Sequence, residues 1–163
     1  MKPGIAVDIP GFGRLQLQTL VSDYTGTLSR GGMISCEVER RLVRLAEFVE
    51  IHILTADTFG TVERELGSLP VRIHQLKPAG QDVQKMKFIE SLPAEHTVAL
   101  GNGNNDRLLL AAVKKAGGLA IAVDNGEGCS IETLQNATLF ITGVENALDL
   151  LIETDRLKAT LRL

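Results

Sequence analysis

Aromatic residues make up only 4% of this 163-residue sequence, and tryptophan is absent. A base-stacking surface for nucleic acid, or an aromatic cage for a cationic ligand, is therefore not expected. The formal net charge is −3, so the chain lacks the basic character of proteins that bind nucleic acid or anionic membranes. We expect neither as a partner.

Metal-binding and membrane signals are also missing. The two cysteines, Cys36 and Cys129, are not in a C-x-x-C pair, and the three histidines lie far apart, which argues against zinc. Unpaired thiols indicate a reducing cytoplasmic setting. No apolar run reaches 18 residues, so no membrane span is expected. Residues 1–9 lack the apolar segment of a secretory signal peptide.

What is present is a regular alternation of strand and helix patterns. Strands are predicted at residues 4–9, 14–23, 51–54, 71–73, 98–100, 119–123 and 139–142. Helices are predicted at residues 36–49, 58–66, 81–92, 106–116, 131–135 and 145–153. The pattern predicts one doubly wound α/β domain over residues 1–163, with a mostly parallel, Rossmann-like sheet. We divide it into an N-terminal hairpin (1–19), an α/β core (20–154) and a tail (155–163).

Polar residues follow three of the apolar strands directly. Asp23 begins the segment Asp-Tyr-Thr-Gly-Thr-Leu, Thr55 begins Thr-Ala-Asp-Thr, and Asn102 lies in Gly-Asn-Gly-Asn-Asn-Asp. Ligands of parallel sheets bind beyond the carboxyl ends of the strands, where these side chains would meet. A carboxylate can attack phosphorus, glycine N–H groups can approach phosphate oxygens, and hard oxygen ligands suit Mg²⁺.

These segments resemble the motifs of the haloacid dehalogenase-like hydrolase superfamily. The first is similar to the Asp-x-Thr-Gly-Thr-Leu form in the phosphorylation domain of P-type ATPases, and Leu54-Thr55-Ala56-Asp57-Thr58 resembles their Leu-Thr-Gly-Asp-Asn segment. Residues 101–106 resemble Gly-Asp-Gly-x-Asn-Asp, and Lys85 matches the phosphate-binding lysine. The resemblance spans residues 19–142. Ion pumping is not expected, because the sequence has neither membrane spans nor a nucleotide-binding insert.

The resemblance implies roles for individual residues. Asp23 would be the nucleophile that forms an aspartyl-phosphate, and it would also ligate Mg²⁺. Thr55 would bind a phosphoryl oxygen or, alternatively, cap the following helix. Gly26 and Thr27 would contact the phosphoryl group, although a turn-stabilising role for Thr27 is nearly as well supported. Lys85 would neutralise charge beside the nucleophile.

Several of these assignments remain open at this stage. Lys77 and Lys87 compete with Lys85 for the phosphate-binding role. Asp106 is expected at the metal, with Asn105 in support, but an Asp that only caps the next helix would look the same in sequence. The polar loop 124–128 follows a strand end, where it could line the rim of the site, but a surface turn is the preferred interpretation.

Two positions depart from the phosphatase pattern. Thr25 replaces the Asp that acts as general acid and base in fast phosphatases, so hydrolysis should be slow, while the Thr25 carbonyl can still bind the metal. Asn102 replaces an Asp that binds Mg²⁺, which removes one negative charge and should weaken metal affinity.

The spacing between the motifs leaves no room for a cap domain. An open site suits a large phosphorylated substrate such as a phosphoprotein, or a cap from another subunit of a homo-oligomer, to which the N-terminal hairpin could contribute. Two functions remain: a slow Mg²⁺-dependent phosphatase, or a weakly active or inactive phosphate- or partner-binding regulatory module. A nucleotide-binding domain of another type is disfavoured, because G-x-G-x-x-G and Walker sequences are absent.

Overall fold

The computed structural model describes residues 1–57 and 60–163. Its strands are β1 (Ile5–Ile9), β2 (Gly13–Leu17), β3 (Thr19–Asp23), β4 (Glu50–Thr55), β5 (Arg72–Gln75), β6 (Thr97–Gly101), β7 (Leu119–Asp124) and β8 (Leu139–Thr142). Its helices are α1 (Cys36–Leu45), α2 (Thr61–Leu66), α3 (Gln81–Glu90), α4 (Arg107–Ala116), α5 (Ile131–Gln135), α6 (Val144–Ile152) and α7 (Thr154–Leu161).

Six of the strands form one parallel sheet in the order β5-β4-β3-β6-β7-β8. The predicted doubly wound α/β architecture is thereby confirmed. The chain moves outward from β3 to β4 and β5, then returns to the other side of β3 at β6. This reversal makes the ends of β3 and β6 the topological switch point, where such sheets bind ligands.

The two faces of the sheet are covered by different helices. Strand side chains alternate between faces, so Leu20 joins the core formed with α1, α6 and α7, whereas Val21 joins the core formed with α3 and α4. The hydrophobic residues that β6 and β7 contribute to the α3–α4 core are all alanines: Ala99, Ala120 and Ala122. These small side chains are consistent with close packing of α3 and α4, and α3 carries Lys85.

The N-terminal hairpin is confirmed as a separate antiparallel pair of β1 and β2. The single strand predicted at 14–23 is in fact two strands that belong to different sheets. The change occurs at Gln18, whose N–H donates to the His96 carbonyl and whose carbonyl accepts from the Glu50 N–H. The hairpin packs its apolar face, including Ile5, Val7 and Leu15, against the α1–α6–α7 core.

Helix boundaries differ in detail from the sequence prediction. The first helix ends at Leu45 rather than at residue 49, because the chain turns at residues 46–49 to enter β4. The second helix was predicted to begin at Thr58, which lies outside the described residues, and the structure describes it over Thr61–Leu66. The segment treated as a tail forms α7, which packs on β1 and α6.

None of the helices among residues 1–57 and 60–163 is both long and apolar enough to cross a bilayer.

Candidate active site

The ends of β3, β4 and β6 open into a cavity of about 510 Å³. Asp23 is the last residue of β3 and lies in register with Leu54, so Thr55 is one residue further along the neighbouring strand. Among the residues predicted for the site, those that line the cavity are Asp23, Thr25, Thr55, Asn102 and Asn105. In the described parts of the chain, no second folded unit between these strands could cover the cavity as a cap.

Asp23 is held by two polar side chains at its own end of the sheet. Its Oδ1 accepts a hydrogen bond from Lys85 Nζ at 2.7 Å, and its Oδ2 accepts one from Thr27 Oγ1 at 3.0 Å. Asp23 is only 6% exposed. Burial and the charge of Asp106 raise its pKa to about 7, against the lowering effects of Lys85 and Thr27.

Lys85 links the nucleophile candidate to a second carboxylate. It is 1% exposed, and its Nζ donates to Asp106 Oδ1 at 2.6 Å as well as to Asp23. Burial lowers the pKa of Lys85, but the two carboxylates outweigh that effect and the pKa is raised overall. Lys77 and Lys87, the alternatives left open by the sequence, are exposed.

Asp106 is completely buried and lies behind the cavity. Its Oδ1 contacts Lys85, and its Oδ2 accepts from the backbone N–H groups of Asn102 and Gly103 at 3.0 and 3.1 Å. Both oxygens are therefore occupied by protein donors. The arrangement suits a residue that orients Lys85 and the 101–106 loop, while the direct metal role expected for Asp106 stays a prediction.

The turn after β3 brings Thr27 back over Asp23. It is closed by the Tyr24 carbonyl, which accepts from the Ser29 N–H at 3.0 Å, and it passes through Gly26 at φ +77°. A Cβ at Gly26 would lie 2.7 Å from the Asn102 amide nitrogen. Glycine is required here both by the left-handed backbone and by the approach of Asn102.

Asn102 is held on both sides. Its Oδ1 lies 3.0 Å from Thr27 Oγ1, and its Nδ2 donates to the Gly128 carbonyl at 3.2 Å. Its own carbonyl accepts from the Ser130 N–H at 2.7 Å. The segment 124–130, which includes the loop interpreted as a surface turn, is thus part of the site's framework. The position of the loop after a strand suggested the rim of the site, but residue types offered no signal for the contacts with Asn102, because the loop makes them with backbone atoms.

The cavity edge near β4 and α3 completes the site. Thr55 is 4% exposed, and its Oγ1 accepts from the Asp57 N–H at 3.1 Å. Asp57 also lines the cavity, and its Oδ2 accepts from the Val62 N–H in α2. Asn105 donates from Nδ2 to Gln81 Oε1 at 3.0 Å, which ties the 101–106 loop to α3. Gln81 was missed because an isolated glutamine at a helix start has no distinctive pattern.

The oxygens available to a metal are few. Asp23 Oδ2 and Asn102 Oδ1 each lie 3.0 Å from the same hydroxyl, which has one hydrogen and can donate to only one of them at a time. The remaining oxygen fits a hard cation such as Mg²⁺. Within the described residues, no group of three or more His, Cys, Asp or Glu side chains could hold a metal.

Solved structures share this architecture. 3-Deoxy-D-manno-octulosonate 8-phosphate phosphatase from Moraxella catarrhalis, in complex with magnesium, phosphate and KDO, superposes with a TM-score of 0.63. The match is 18% identical and covers 90% of this chain and 94% of that one. The cobalt-bound deoxy-D-mannose-octulosonate 8-phosphate phosphatase of Haemophilus influenzae also gives a TM-score of 0.63, at 14% identity, covering 90% and 89% of the two chains.

A haloacid dehalogenase-like hydrolase from Bacteroides thetaiotaomicron superposes with a TM-score of 0.55 at 11% identity, covering 82% of this chain and 99% of that one. The chain therefore has the haloacid dehalogenase-like fold, without a cap in its described parts. No family model matches the sequence. The chain belongs to the same family as the uncharacterized protein MJ0073 of Methanocaldococcus jannaschii, to which it is 35% identical over 96 residues, or 56% of this chain and 99% of that protein.

Proposed function

We propose that the protein is a metal-dependent phosphatase that works through an aspartyl-phosphate on Asp23. The observation that carries the proposal is the buried Asp23–Lys85–Asp106 arrangement, in which Asp23 lines a cavity beyond the sheet's carboxyl edge while Lys85 and Asp106 lie behind it. Solved phosphatases of the same fold support it, one of them in complex with magnesium and phosphate.

The chemistry needs a carboxylate that is both ionised and oriented. In the first step Asp23 attacks phosphorus, the bond from phosphorus to the leaving oxygen breaks, and the leaving group takes a proton from water. Lys85 neutralises charge on Asp23, and Thr55, which lines the cavity, is the proposed hydrogen-bond donor to a phosphoryl oxygen. Thr27, whose hydroxyl contacts Asp23 and Asn102, would orient these two side chains. Water then attacks the aspartyl-phosphate, which releases inorganic phosphate and restores the carboxylate.

A divalent ion, Mg²⁺ in our proposal, would stabilise the negative charge that develops on the transferring phosphoryl group. Asp23 and Asn102 offer side-chain oxygens for it, and the Thr25 carbonyl is a further proposed ligand. Asp106 acts, in this proposal, through Lys85 and the 101–106 loop.

Thr25 determines the expected rate of aspartyl-phosphate hydrolysis. Its side chain is exposed at the cavity, where its hydroxyl cannot serve as general acid or base at neutral pH. Hydrolysis of the aspartyl-phosphate should therefore be slower than its formation. The open cavity is compatible with a macromolecular phosphorylated substrate, or with a cap from a second subunit.

The alternative is a module that binds phosphate or a phosphorylated partner without efficient turnover. The contact between Asn102 and Gly128 favours it, because it holds a neutral amide where the superfamily's pattern has a metal-binding acid. Phosphorylation of the purified protein by a small phosphate donor separates the two functions.

The test incubates the purified protein with acetyl phosphate or para-nitrophenyl phosphate, with and without Mg²⁺. Intact mass after acid quenching and phosphate release are followed together. We expect a Mg²⁺-dependent gain of one phosphoryl group and slow phosphate release, both lost in Asp23→Asn. Asp8→Asn, an exposed aspartate in the hairpin, is the matched control and should behave as wild type.

Phosphate release that survives Asp23→Asn would rule out the proposed nucleophile. Phosphate binding without adduct or release in the wild-type protein would favour the binding module instead.

A further inference from the structure

The feature that leads beyond catalysis is the small amount of negative charge beside Asn102. Asp23 and Asp106 are the two carboxylates at Lys85, so this cluster carries a formal charge of −1. Asp106 is 0% exposed and both of its oxygens accept hydrogen bonds from protein donors. Asp23 Oδ1 faces Lys85, which leaves Asp23 Oδ2 as the charged oxygen on the side of Asn102.

Asn102 is built into this position as an amide. Its Nδ2 donates to the Gly128 carbonyl at 3.2 Å, a bond that a carboxylate could not make, and its Oδ1 is thereby aimed at Thr27. An aspartate would place a charged oxygen against the Gly128 carbonyl. The site therefore presents one anionic and one neutral oxygen, each 3.0 Å from Thr27 Oγ1.

This charge balance affects metal and phosphate in opposite ways. A divalent cation between Asp23 and Asn102 would find one anionic oxygen there, whose charge Lys85 already compensates in part. Asp57, which also lines the cavity, lies on the side of β4 and α2, where its Oδ2 accepts from the Val62 N–H. A phosphate dianion alone would approach the ionised Asp23 carboxylate. Bound together, the phosphate supplies the charge and the hard oxygens that the metal lacks, and the metal offsets the repulsion between phosphate and Asp23.

We propose that Asn102 makes occupancy by the metal depend on the phosphoryl group, so that the metal does not bind well until a phosphoryl group is present. The inference rests on the proposed function. It implies that the metal occupies the site together with the phosphorylated substrate, rather than residing permanently in the protein. Since binding free energies are reciprocal, each ligand must tighten the other by the same factor.

Calorimetric titration tests the coupling without measuring turnover. Mg²⁺ is titrated into the wild-type protein alone and at a fixed concentration of inorganic phosphate, and phosphate is titrated with and without Mg²⁺. Free concentrations are corrected for Mg²⁺–phosphate association in solution. We expect each ligand to tighten the other at least tenfold, by equal factors within error.

Asn102→Asp is the diagnostic variant. Restoring the acid should strengthen binding of Mg²⁺ alone at least tenfold. Asn104→Asp is the matched control, because it adds the same charge two residues away at an exposed side chain and should strengthen binding of Mg²⁺ alone much less than Asn102→Asp does. Thermal unfolding of both variants checks that the loop still folds, and Asn102→Ala, which adds no charge, should not strengthen binding of Mg²⁺ alone.

The outcomes separate the two proposals. If the wild-type protein binds Mg²⁺ equally well with and without phosphate while Asp23 is still phosphorylated, the coupling is overturned and the phosphatase proposal stands. If neither ligand binds under any condition and Asp23 gains no phosphoryl group, both proposals fail.

Discussion

At the scale of single residues, Asp23 occupies an environment that the proposed chemistry uses but that disfavours its ionised form. Its carboxylate is 6% exposed and shares one ammonium with Asp106. Burial and Asp106 raise its pKa to about 7, so the ionised form is disfavoured relative to the unfolded chain. Groups held in a disfavoured state are typical of functional sites.

We therefore expect Asp23→Asn to stabilise the metal-free protein at neutral pH. Between the unfolded pKa near 3.8 and the folded pKa of about 7, the native state binds more protons, so the Asp23 contribution to stability falls as pH rises through this interval. Urea unfolding at pH 7.5 and pH 4.5 measures the difference. The gain from the substitution should be larger at pH 7.5, and a loss of stability there would contradict the assigned direction of the pKa shift.

Thr25 is the second residue whose chemistry can be tested alone. An aspartate at this exposed position in the cavity would provide the missing general acid and base, an effect worth about 10²–10⁴-fold where the geometry is right. We expect Thr25→Asp to speed phosphate release at least tenfold. Thr25→Asn, similar in shape but unable to transfer a proton, should not, and equal rates in the two variants would refute the explanation for slow hydrolysis.

At the scale of secondary-structure elements, the sequence predicted the sheet and the strand ends that carry the site, because strands covered on both faces appear as apolar runs. It did not predict that β2 and β3 are separate strands divided at Gln18, whose backbone N–H and carbonyl both remain hydrogen-bonded. Nor did it predict the contact of Gly128 with Asn102, since that contact depends on how a loop folds back and not on residue type. The turn of Asp106 toward Lys85 is equally a product of tertiary structure.

The edge of the sheet at β4 and β5 contains a histidine pair near the helix that carries Lys85. His52 Nδ1 and His74 Nε2 lie 2.9 Å apart, their rings stack, and both contact the Phe88 ring of α3. Burial and the neighbouring His74 lower the pKa of His52, while burial and Arg72 lower that of His74. Glu50, 3.6 Å from His52 Nε2, opposes the shift of His52.

Stability should therefore fall as pH drops below about 6.5, the unfolded histidine value, because the unfolded chain then takes up protons that the native pair resists. Each proton contributes up to about 1.4 kcal/mol per pH unit. We expect the unfolding free energy in the Asp23→Asn background, where Asp23 cannot titrate, to decrease between pH 7 and pH 5.5.

Replacing both histidines by leucine in that background should flatten the dependence. His96→Leu, a substitution of a histidine outside the pair, is the control. An unchanged slope in the double variant would show that the pair does not titrate as its burial requires.

At the scale of the whole molecule, the last helix of the sequence packs against the N-terminal hairpin. The Leu163 N–H donates to the Pro10 carbonyl at 2.9 Å, and α7 packs on β1 and α6. The sequence of this segment is mostly polar, with Leu157 and Leu161 one turn apart as its apolar signal, which is why a helix there was not predicted. The hairpin and α7 thus share one core with the helices on that face of the sheet.

Leu157→Ala tests how far the packing of α7 on β1 and α6 stabilises the fold. Leu157 is 0% exposed, so its truncation should leave a cavity and cost about 2–5 kcal/mol, measured by urea unfolding. Leu163→Ala, at a side chain that is 96% exposed, should change stability by no more than about 0.5 kcal/mol. Because α7 lies on the hairpin side and the site is built from β3, β4, β6 and α3, the folded Leu157→Ala protein should retain the wild-type yield of Asp23 adduct. Equal stability of the two variants would mean that α7 does not share the core. Loss of adduct formation in a folded Leu157→Ala protein would mean that the packing of α7 also shapes the site.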